Sequence, residues 1–174
     1  MTKYILLFII TLISFESYSQ NISLDDVLQL RKKDLAYVEE YLLNKNWEFT
    51  KGEDATETTL ETAQFIYCKT KSGNCEAILN YMTNSTVTDG NRISITLFKK
   101  ESYNNYLKRI KDLGCQLINS KVIKESIVKL YKGKTTSFEI ITFVGKINSE
   151  DIITYNINIM SNEVYSTNVR RIEN

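Results

Sequence analysis

The three cysteines are the residues of this chain best able to form a covalent bond. Cys68 and Cys75 flank the turn signal Ser72-Gly73-Asn74, and a loop centred at positions 71 and 72 places the two cysteines opposite each other on a hairpin. Cysteines that face each other on neighbouring strands satisfy the distance requirement of a disulfide. We predict a Cys68–Cys75 bridge, with a bridge from either residue to Cys115 as the alternative.

The chain contains no histidine, which removes the commonest general base and the commonest transition-metal ligand. Three cysteines without histidine make a poor zinc site, because structural zinc takes four nitrogen or sulfur ligands. Cys115 has no neighbour in the sequence that would lower its pKa, so we expect a buried small hydrophobe rather than a reactive thiol. We predict neither a metal nor a cofactor.

The acidic residues do not form a recognisable catalytic or calcium-binding pattern. Asp25 and Asp26 belong to a helix start, where negative charge suits the helix dipole. The segment with Glu53, Asp54, Glu57 and Glu61 lacks the spacing of a calcium loop, and we interpret it as a solvated loop, with a weak cation site as the alternative. The six glycines are scattered and form no phosphate-binding loop. We predict that the protein is not an enzyme.

The charge balance argues against a polyanionic partner. The chain has 22 basic and 21 acidic residues, a formal net charge of +1, and no field that would hold nucleic acid. The basic clusters Arg31-Lys32-Lys33 and Arg170-Arg171 are interpreted as solvated faces, because neither alternates with stacking aromatics. With 43% hydrophobic residues the chain is too apolar to be disordered, so we expect a folded protein without a nucleic-acid partner.

Residues 1–19 have the pattern of a secretory signal peptide. Lys3 precedes an apolar run from Tyr4 to Phe15, and small residues follow at Ser17 and Ser19. This run is too short for a membrane helix, although an uncleaved anchor is the alternative. We predict cleavage before Gln20, a periplasmic or extracellular location, and no membrane span after cleavage. The segment resembles those of exported Bacteroidota proteins.

Helix signals recur in two parts of the mature chain. Ser23 and Asp26 have the spacing of a reciprocal capping box, with Ile22 placed to pack on the first turn. An apolar periodicity then runs to Leu42, with a break near Lys33-Asp34 that would give two helices. A second helix is predicted from Tyr103 to Leu113, ended by Gly114 as a left-handed residue.

Each helical part is followed by segments with the two-residue period of β-strands. The first set covers 64–68, 75–81 and 93–97, and the second covers 115–118, 127–131, 137–144 and 152–160. A shift of 62 or 63 residues superposes the two sets with side-chain parity kept, which suggests an internal duplication without establishing one. We predict an α+β fold: an antiparallel sheet of two helix-plus-meander halves, with the helices packed on one face.

The boundaries of this organisation are 1–19 for the signal peptide, 20–99 for the first half, 100–160 for the second and 161–174 for a C-terminal tail. The arrangement resembles the tandem helix-plus-four-strand domains of the β-lactamase inhibitor protein family over residues 22 to 160. The resemblance is one of architecture. It matches no residue motif of that family and implies no functional residue.

The sheet face away from the helices is the predicted binding surface. If Ile66, Ala77 and Leu79 face the helices, an unusually apolar set is left on the other face. This set is Phe65, Tyr67, Ile78, Met82, Phe98, Ile127, Tyr131, Ile141 and Phe143. The alternative is that these side chains are scattered, or are covered by the 83–90 loop and the tail from Ser161.

Two functions follow from this reading. The first is an exported, non-catalytic binding protein of the cell envelope that uses the apolar and aromatic face to bind a protein partner. The second is a structural or accessory envelope protein that self-associates or binds an apolar ligand between the sheet and the helices.

Overall fold

A computed structural model describes residues 22–57, 59–68, 75–83, 90–147 and 150–166. The predicted signal peptide, the Ser72-Gly73-Asn74 turn and the tail beyond residue 166 lie outside these ranges. In the described part of the chain, no helix combines the length and the apolar character needed to cross a membrane.

Three helices precede or separate the strands of the described chain. They are α1 (Leu24–Leu30), α2 (Leu35–Asn44) and α3 (Lys100–Asp112), and residues 162–166 add one helical turn at the end. The predicted capping box is confirmed, because the Ser23 side chain accepts from the Asp26 N–H while the Asp26 carboxylate accepts from the Ser23 N–H. The predicted break is also confirmed, since Asp34 caps the start of α2.

Eight antiparallel strands form one continuous sheet. The strands are β1 (Glu48–Glu53), β2 (Glu61–Cys68), β3 (Cys75–Thr83), β4 (Arg92–Leu97), β5 (Gln116–Ile123), β6 (Ser126–Lys132), β7 (Thr136–Ile147) and β8 (Glu150–Ser161). Their spatial order is β1-β2-β3-β4-β8-β7-β6-β5, so each half is a four-strand meander and the pairing of β4 with β8 joins the halves. The predicted α+β class with an antiparallel sheet is confirmed.

The helices pack on one face of this sheet and bury the main core. Val27, Val38 and Leu42 of α1 and α2, and Ile110 of α3, are fully buried in one cluster with the sheet. The sheet contributes its larger apolar side chains to that cluster, and their burial supplies the main driving force for folding. These side chains are Phe65, Leu79, Tyr81, Ile93, Ile95, Leu97, Phe138, Ile140, Tyr155, Ile157 and Ile159.

The two halves share local geometry where a helix leads into its first strand. Asn46 and Gly114 both have a left-handed backbone, with φ of 60° and 76°, which confirms the predicted role of Gly114. The next amide donates to a carbonyl five residues earlier in both halves, Trp47 to Leu42 at 3.0 Å and Cys115 to Ile110 at 3.3 Å.

The strands that follow carry the same irregularity. β1 is bulged between Phe49 and Lys51, and β5 is bulged between Leu117 and Asn119. Positions 49 and 117, like 46 and 114, are separated by 68 residues, whereas the shift of 62 or 63 suggested by the sequence pattern relates the later strands of each half. The halves are therefore structural repeats whose loops differ in length.

Each half fixes its helices to the sheet in a different way. In the first half the buried Asn91 amide donates to the Lys33 carbonyl at 3.1 Å and to the Tyr81 hydroxyl at 2.6 Å, and accepts from Thr83 at 2.9 Å. In the second half the Tyr103 ring of α3 stacks on Tyr155 of β8, with ring centroids 4.2 Å apart. A polar network attaches the helices to the sheet in the first half, and an aromatic stack attaches the helix to the sheet in the second.

Candidate functional site

The sheet face opposite the described helices, called here the open face, is crossed by a row of polar side chains. Cross-strand pairing aligns five of them over β2, β3, β4, β8 and β7. This polar ladder consists of Gln64, Asn80, Ser94, Asn158 and Glu139. All five are half-buried or buried in spite of their polarity, so their hydrogen bonds matter to the fold as well as to any partner.

Hydrogen bonds join the side chains of the polar ladder and its neighbours in three separate groups. Gln64 Nε2 donates to Asn80 Oδ1 at 2.9 Å, and Asn158 Nδ2 donates to Glu139 Oε2 at 3.0 Å. Asn156, two residues from Asn158 in β8, donates to Ser94 Oγ at 2.8 Å and to Thr96 Oγ1 at 2.9 Å. These bonds occur in both halves and at their junction, and they restrict the orientations of the side chains that form them.

An apolar flank lies beside the polar ladder on the same face. Ile66, Ile78, Ile141 and Val128 occupy the next row of cross-strand partners, which is completed by Thr96 and Asn156 at the junction of the halves. The four apolar residues are all half-buried. The open face therefore places hydrogen-bonded polar side chains directly beside half-buried aliphatic ones.

Five predicted site residues lie on the open face: Ile78, Met82, Phe98, Ile141 and Phe143. All of them are half-buried. Phe98 and Phe143 lie toward one end of the strands, near Glu76, whose carboxylate accepts from Lys99 Nζ at 2.7 Å. Ile78 and Ile141 belong to the apolar flank, and Met82 pairs with Thr62 near the other end of β2 and β3.

The predicted orientation of Phe65, Tyr67 and Tyr131 is wrong. Phe65 is fully buried on the helix side, Tyr131 is buried in the same core, and Tyr67 packs against that core with its ring 5.6 Å from the Trp47 ring. Ile66, which was expected to face the helices, lies on the open face instead. The face is consequently more polar than expected, and its large aromatics are fewer.

A bulge accounts for the reversed orientation of β2. Cys68 and Cys75 are partners, as predicted, but the register shifts by one between Tyr67 and Cys68, so that Tyr67 pairs with Ala77. A shift of one residue turns every side chain of a strand to the opposite face. The pairing of Cys68 with Cys75 therefore does not set the orientation of the other β2 side chains.

The length of a turn accounts for the same reversal in β6. Lys132 pairs with Ser137, and the Gly133 N–H donates to the Thr136 carbonyl at 2.9 Å, which gives a four-residue loop. Ile127 then pairs with Thr142 and lies on the helix side, where it is 44% exposed because it extends past the described helices. Tyr131 lies on the same side but under the helices.

The predicted disulfide is confirmed. The Sγ atoms of Cys68 and Cys75 are at bonding distance, and their Cα atoms are 3.9 Å apart. Cys115 is the free cysteine of the described residues. It is half-buried against the core, and burial raises the pKa of its thiol, which disfavours the reactive thiolate.

A second feature with charged groups is a cavity of about 320 Å³ between α1 and the β6–β7 hairpin. Asp25, Arg31, Lys32, Lys134 and Cys115 contribute to its lining. Arg31 was expected on a solvated face but is 6% exposed, and its Nη1 lies 3.5 Å from the Asn91 carbonyl oxygen. The cavity lining is mixed, because Leu28, Leu113 and Phe138 line it beside the charged side chains.

The pKa shifts of Asp26, Tyr41 and Tyr106 have structural causes. Burial raises the pKa of Asp26, but hydrogen bonds from the Ser23 N–H and hydroxyl outweigh it, so the net pKa is lowered. Burial and the hydrogen bond to Asp26 raise the pKa of Tyr41 to about 12. The fully buried Tyr106 has a strongly raised pKa because of desolvation, and its hydroxyl donates to the Ile22 carbonyl at 3.2 Å.

No group of three or more cysteine, aspartate or glutamate side chains within the described ranges could hold a metal ion. The sequence pattern places Asn80, Glu139 and Asn158 on this face, but it did not predict that they align in one row and form hydrogen bonds there. It also missed the burial of Arg31, which depends on the distant Asn91 and has no local signal.

Comparisons of this chain with models of protein families, with curated proteins and with solved structures find no match. The resemblances to exported Bacteroidota proteins and to the β-lactamase inhibitor protein family therefore stay predictions.

Proposed function

We propose that this chain is an exported, non-catalytic interaction protein of the cell envelope that binds a protein partner on the open face of its sheet. The observation that carries the proposal is the pre-formed polar ladder beside the apolar flank. An antiparallel sheet packed on one side only normally presents an alternating polar face to water. Here hydrogen-bonded amides lie next to half-buried Ile66, Ile78 and Ile141, which combines orientation with apolar area.

The chemistry of the chain supports a non-catalytic role. A general base or nucleophile needs a shifted pKa at an accessible position next to a partner group. Among the described residues, the shifted carboxylate of Asp26 belongs to a helix cap and the Cys115 thiol is shifted away from its reactive form. The sequence has no histidine to replace them.

The exported location is supported by two separate features. The N-terminal segment has the composition of a signal peptide, and the Cys68–Cys75 disulfide is compatible with an oxidising compartment. We expect the protein recovered from the envelope or the medium to begin at Gln20, as measured by its intact mass. A full-length chain retained in the cytoplasm would contradict the location.

Site-specific photocrosslinking in the native cell tests the binding surface. A photoreactive amino acid at Ile78 or Ile141 should trap one partner, while the same group at Tyr37 on α2, 46% exposed, should trap none. The purified partner is then titrated with the Ile78→Asp/Ile141→Asp variant, for which we expect at least roughly tenfold weaker binding.

The matched control is Val122→Asp/Val144→Asp, which adds the same charges at positions 75% and 64% exposed on the opposite face. The control should bind like the unmodified protein. Equal loss in both variants, or crosslinks from Tyr37 alone, would remove the open face as the binding surface. Thermal unfolding of all variants checks that they are folded.

A structural envelope protein that self-associates is the second candidate function. It is favoured by the opposite net charges of residues 48–61 and 116–134. An apolar ligand between sheet and helices has weaker support, because the cavity beside α1 mixes Leu28, Leu113 and Phe138 with the charged Asp25, Arg31, Lys32 and Lys134.

A further inference from the structure

The two outer strands of the sheet leave one backbone edge each without a partner strand among the described residues. These strands are β1 and β5, and all of their side chains are exposed. An outer strand presents free N–H and C=O groups that can pair with another strand. Phe49 in β1 and Leu117 in β5 hold equivalent positions next to the bulges and are 51% and 50% exposed.

The two edges carry opposite charge. The outer strands themselves have net charges of −1 in β1 and +1 in β5. Residues 48–61, from β1 to the first residue of β2, have five carboxylates and one lysine, a net charge of −4, while residues 116–134, from β5 through β6 to the loop after it, have five lysines and one glutamate, a net charge of +4. The overall balance of +1 therefore hides a molecule with an acidic end and a basic end, as far apart as the sheet allows.

The side chains of the two edges also match face by face. On the open face β1 presents Glu48, Lys51 and Glu53, with Lys51 paired to Glu53, while β5 presents Lys121. On the helix side β1 presents Phe49, while β5 presents Leu117 and Val122, the latter 75% exposed. Opposite charges would meet on one face and apolar side chains on the other, which is the cross-strand pattern that stabilises antiparallel pairs.

The strand directions permit this contact without any rearrangement. Because all eight strands alternate in direction, β1 and β5 of one molecule run in opposite directions. A second copy displaced along the sheet brings its β1 antiparallel to β5 of the first, with both helix layers on the same side. The contact leaves one acidic and one basic edge free at the ends, so it can be repeated.

We propose that copies of this chain associate head to tail, with β1 of one copy pairing antiparallel with β5 of the next to extend the sheet. Pairing of β5 with β5, or of β1 with β1, would bring like charges together and is disfavoured. The surface used is separate from the open face, so the association rests on the second candidate function, self-association, and not on the binding of a partner to the open face. The two edges are thereby assigned to a second copy of the chain.

Charge reversal at each edge tests the pairing. The purified mature chain, which begins at Gln20, is compared with the Glu48→Lys/Glu53→Lys and Lys121→Glu/Lys124→Glu variants. The comparison uses sedimentation velocity over a range of concentrations. We expect the unmodified chain to form a concentration-dependent series of oligomers that weakens with added salt. Each variant alone should associate roughly tenfold more weakly.

The decisive sample is the equimolar mixture of the two variants. In the mixture the acidic β1 of one variant meets the basic β5 of the other, and the reversed edges are also complementary, so oligomers should return. The control Lys100→Glu/Lys111→Glu makes the same change of net charge at exposed positions of α3 and should associate like the unmodified chain.

Three outcomes would overturn the inference. They are a monomer at every concentration, oligomers that survive both reversals, and a dimer that is sensitive only to the β5 reversal. The Ile78→Asp/Ile141→Asp variant of the open face should keep the oligomer series, which distinguishes failure of this inference from failure of the proposed function.

Discussion

One arrangement of helix and four strands occurs twice, in the first half of the molecule, residues 20–99, and in the second half, residues 100–160. The halves differ in the side-chain contacts that stabilise them and in their net charge. The first half has two helices, a buried polar network and a disulfide, and a net charge of −3 from nine basic and twelve acidic residues. The second has one helix, an aromatic stack and a net charge of +4 from ten basic and six acidic residues.

This difference shows that one backbone arrangement can be stabilised by different side-chain solutions. Trp47 and Cys115 illustrate this difference, because they occupy equivalent positions in the two halves. Both follow a left-handed residue and both donate to the carbonyl five residues earlier, yet one is a fully buried indole and the other a half-buried thiol. Stability should therefore be concentrated in the first half.

The largest expected effect comes from truncating Trp47. Trp47→Ala should lower the free energy of unfolding by about 4 kcal/mol, because a large buried side chain is lost and leaves a cavity. Cys115→Ala at the equivalent position should cost less than about 1 kcal/mol. Denaturant unfolding followed by circular dichroism measures both.

Trp47→Phe sharpens this comparison. Trp47 Nε1 is buried and has no hydrogen-bond partner among the described residues, so the change to phenylalanine loses packing alone and should cost less than the change to alanine. Equal costs for Trp47→Ala and Cys115→Ala would contradict the view that the halves differ in stability.

The next effect concerns the buried network around Asn91. Asn91→Ala removes both donors to Lys33 and Tyr81 and the acceptor for Thr83, which should cost about 3 kcal/mol because buried partners are left unsatisfied. Tyr155→Phe keeps the ring that stacks on Tyr103 and should cost less than about 1 kcal/mol. If Tyr155→Phe lowered the free energy of unfolding more than Asn91→Ala did, it would contradict the view that a polar network attaches the helices in the first half and ring stacking attaches the helix in the second.

The disulfide is expected to have a smaller effect. Cys68→Ser/Cys75→Ser should lower the free energy of unfolding by about 2 kcal/mol, because the bridge closes a short loop and short loops lose little chain entropy. Thermal unfolding with and without reductant gives the same comparison in the unmodified chain. Cys115→Ser is the control, and it should leave the effect of the reductant unchanged.

The smallest effect concerns the cap of α1, the helix without a counterpart in the second half. Ser23→Ala should cost about 1 kcal/mol at neutral pH. Since the pKa of Asp26 is lower in the folded chain than its ordinary value of 3.8, the carboxylate stabilises the fold above that ordinary value. This contribution is lost as the pH falls through the lowered pKa.

Stability measured from pH 7 downward checks the cap. Asp26→Asn should be less stable than the unmodified chain at neutral pH, and the difference should disappear in strong acid. A difference that stays constant over this range would mean that the Asp26 charge does not contribute through the cap.

The sequence predicted those parts of the fold that depend on neighbouring residues. The Ser23 and Asp26 cap, the break before Leu35, the Gly114 terminus and the opposed pair Cys68 and Cys75 all follow from local spacing. The meander order followed as well, since short turns force neighbouring strands to pair.

The orientation of the candidate site was harder to predict because it depends on single-residue shifts. Phe65, Ile66 and Tyr67 are consecutive apolar residues, so alternation does not indicate which of them faces the core. The bulge at Tyr67 and Cys68 determines which of the three side chains faces the core. The four-residue turn after Lys132 determines the orientation of Tyr131 in the same way. Neither irregularity has a strong sequence signal, whereas β3 and β8, with clean alternation, were oriented correctly.

The junction of β4 with β8 also has a consequence for the order of folding. Ile95 pairs with Ile157, so the last strand of the chain is the one that joins the two meanders. Local hairpins form quickly, but contacts between distant residues require the closure of a long loop. Until β8 is in place, the described chain can hold only the four-strand meander β1–β4 and the three-strand meander β5–β7, and the arrival of β8 joins them into the eight-stranded sheet.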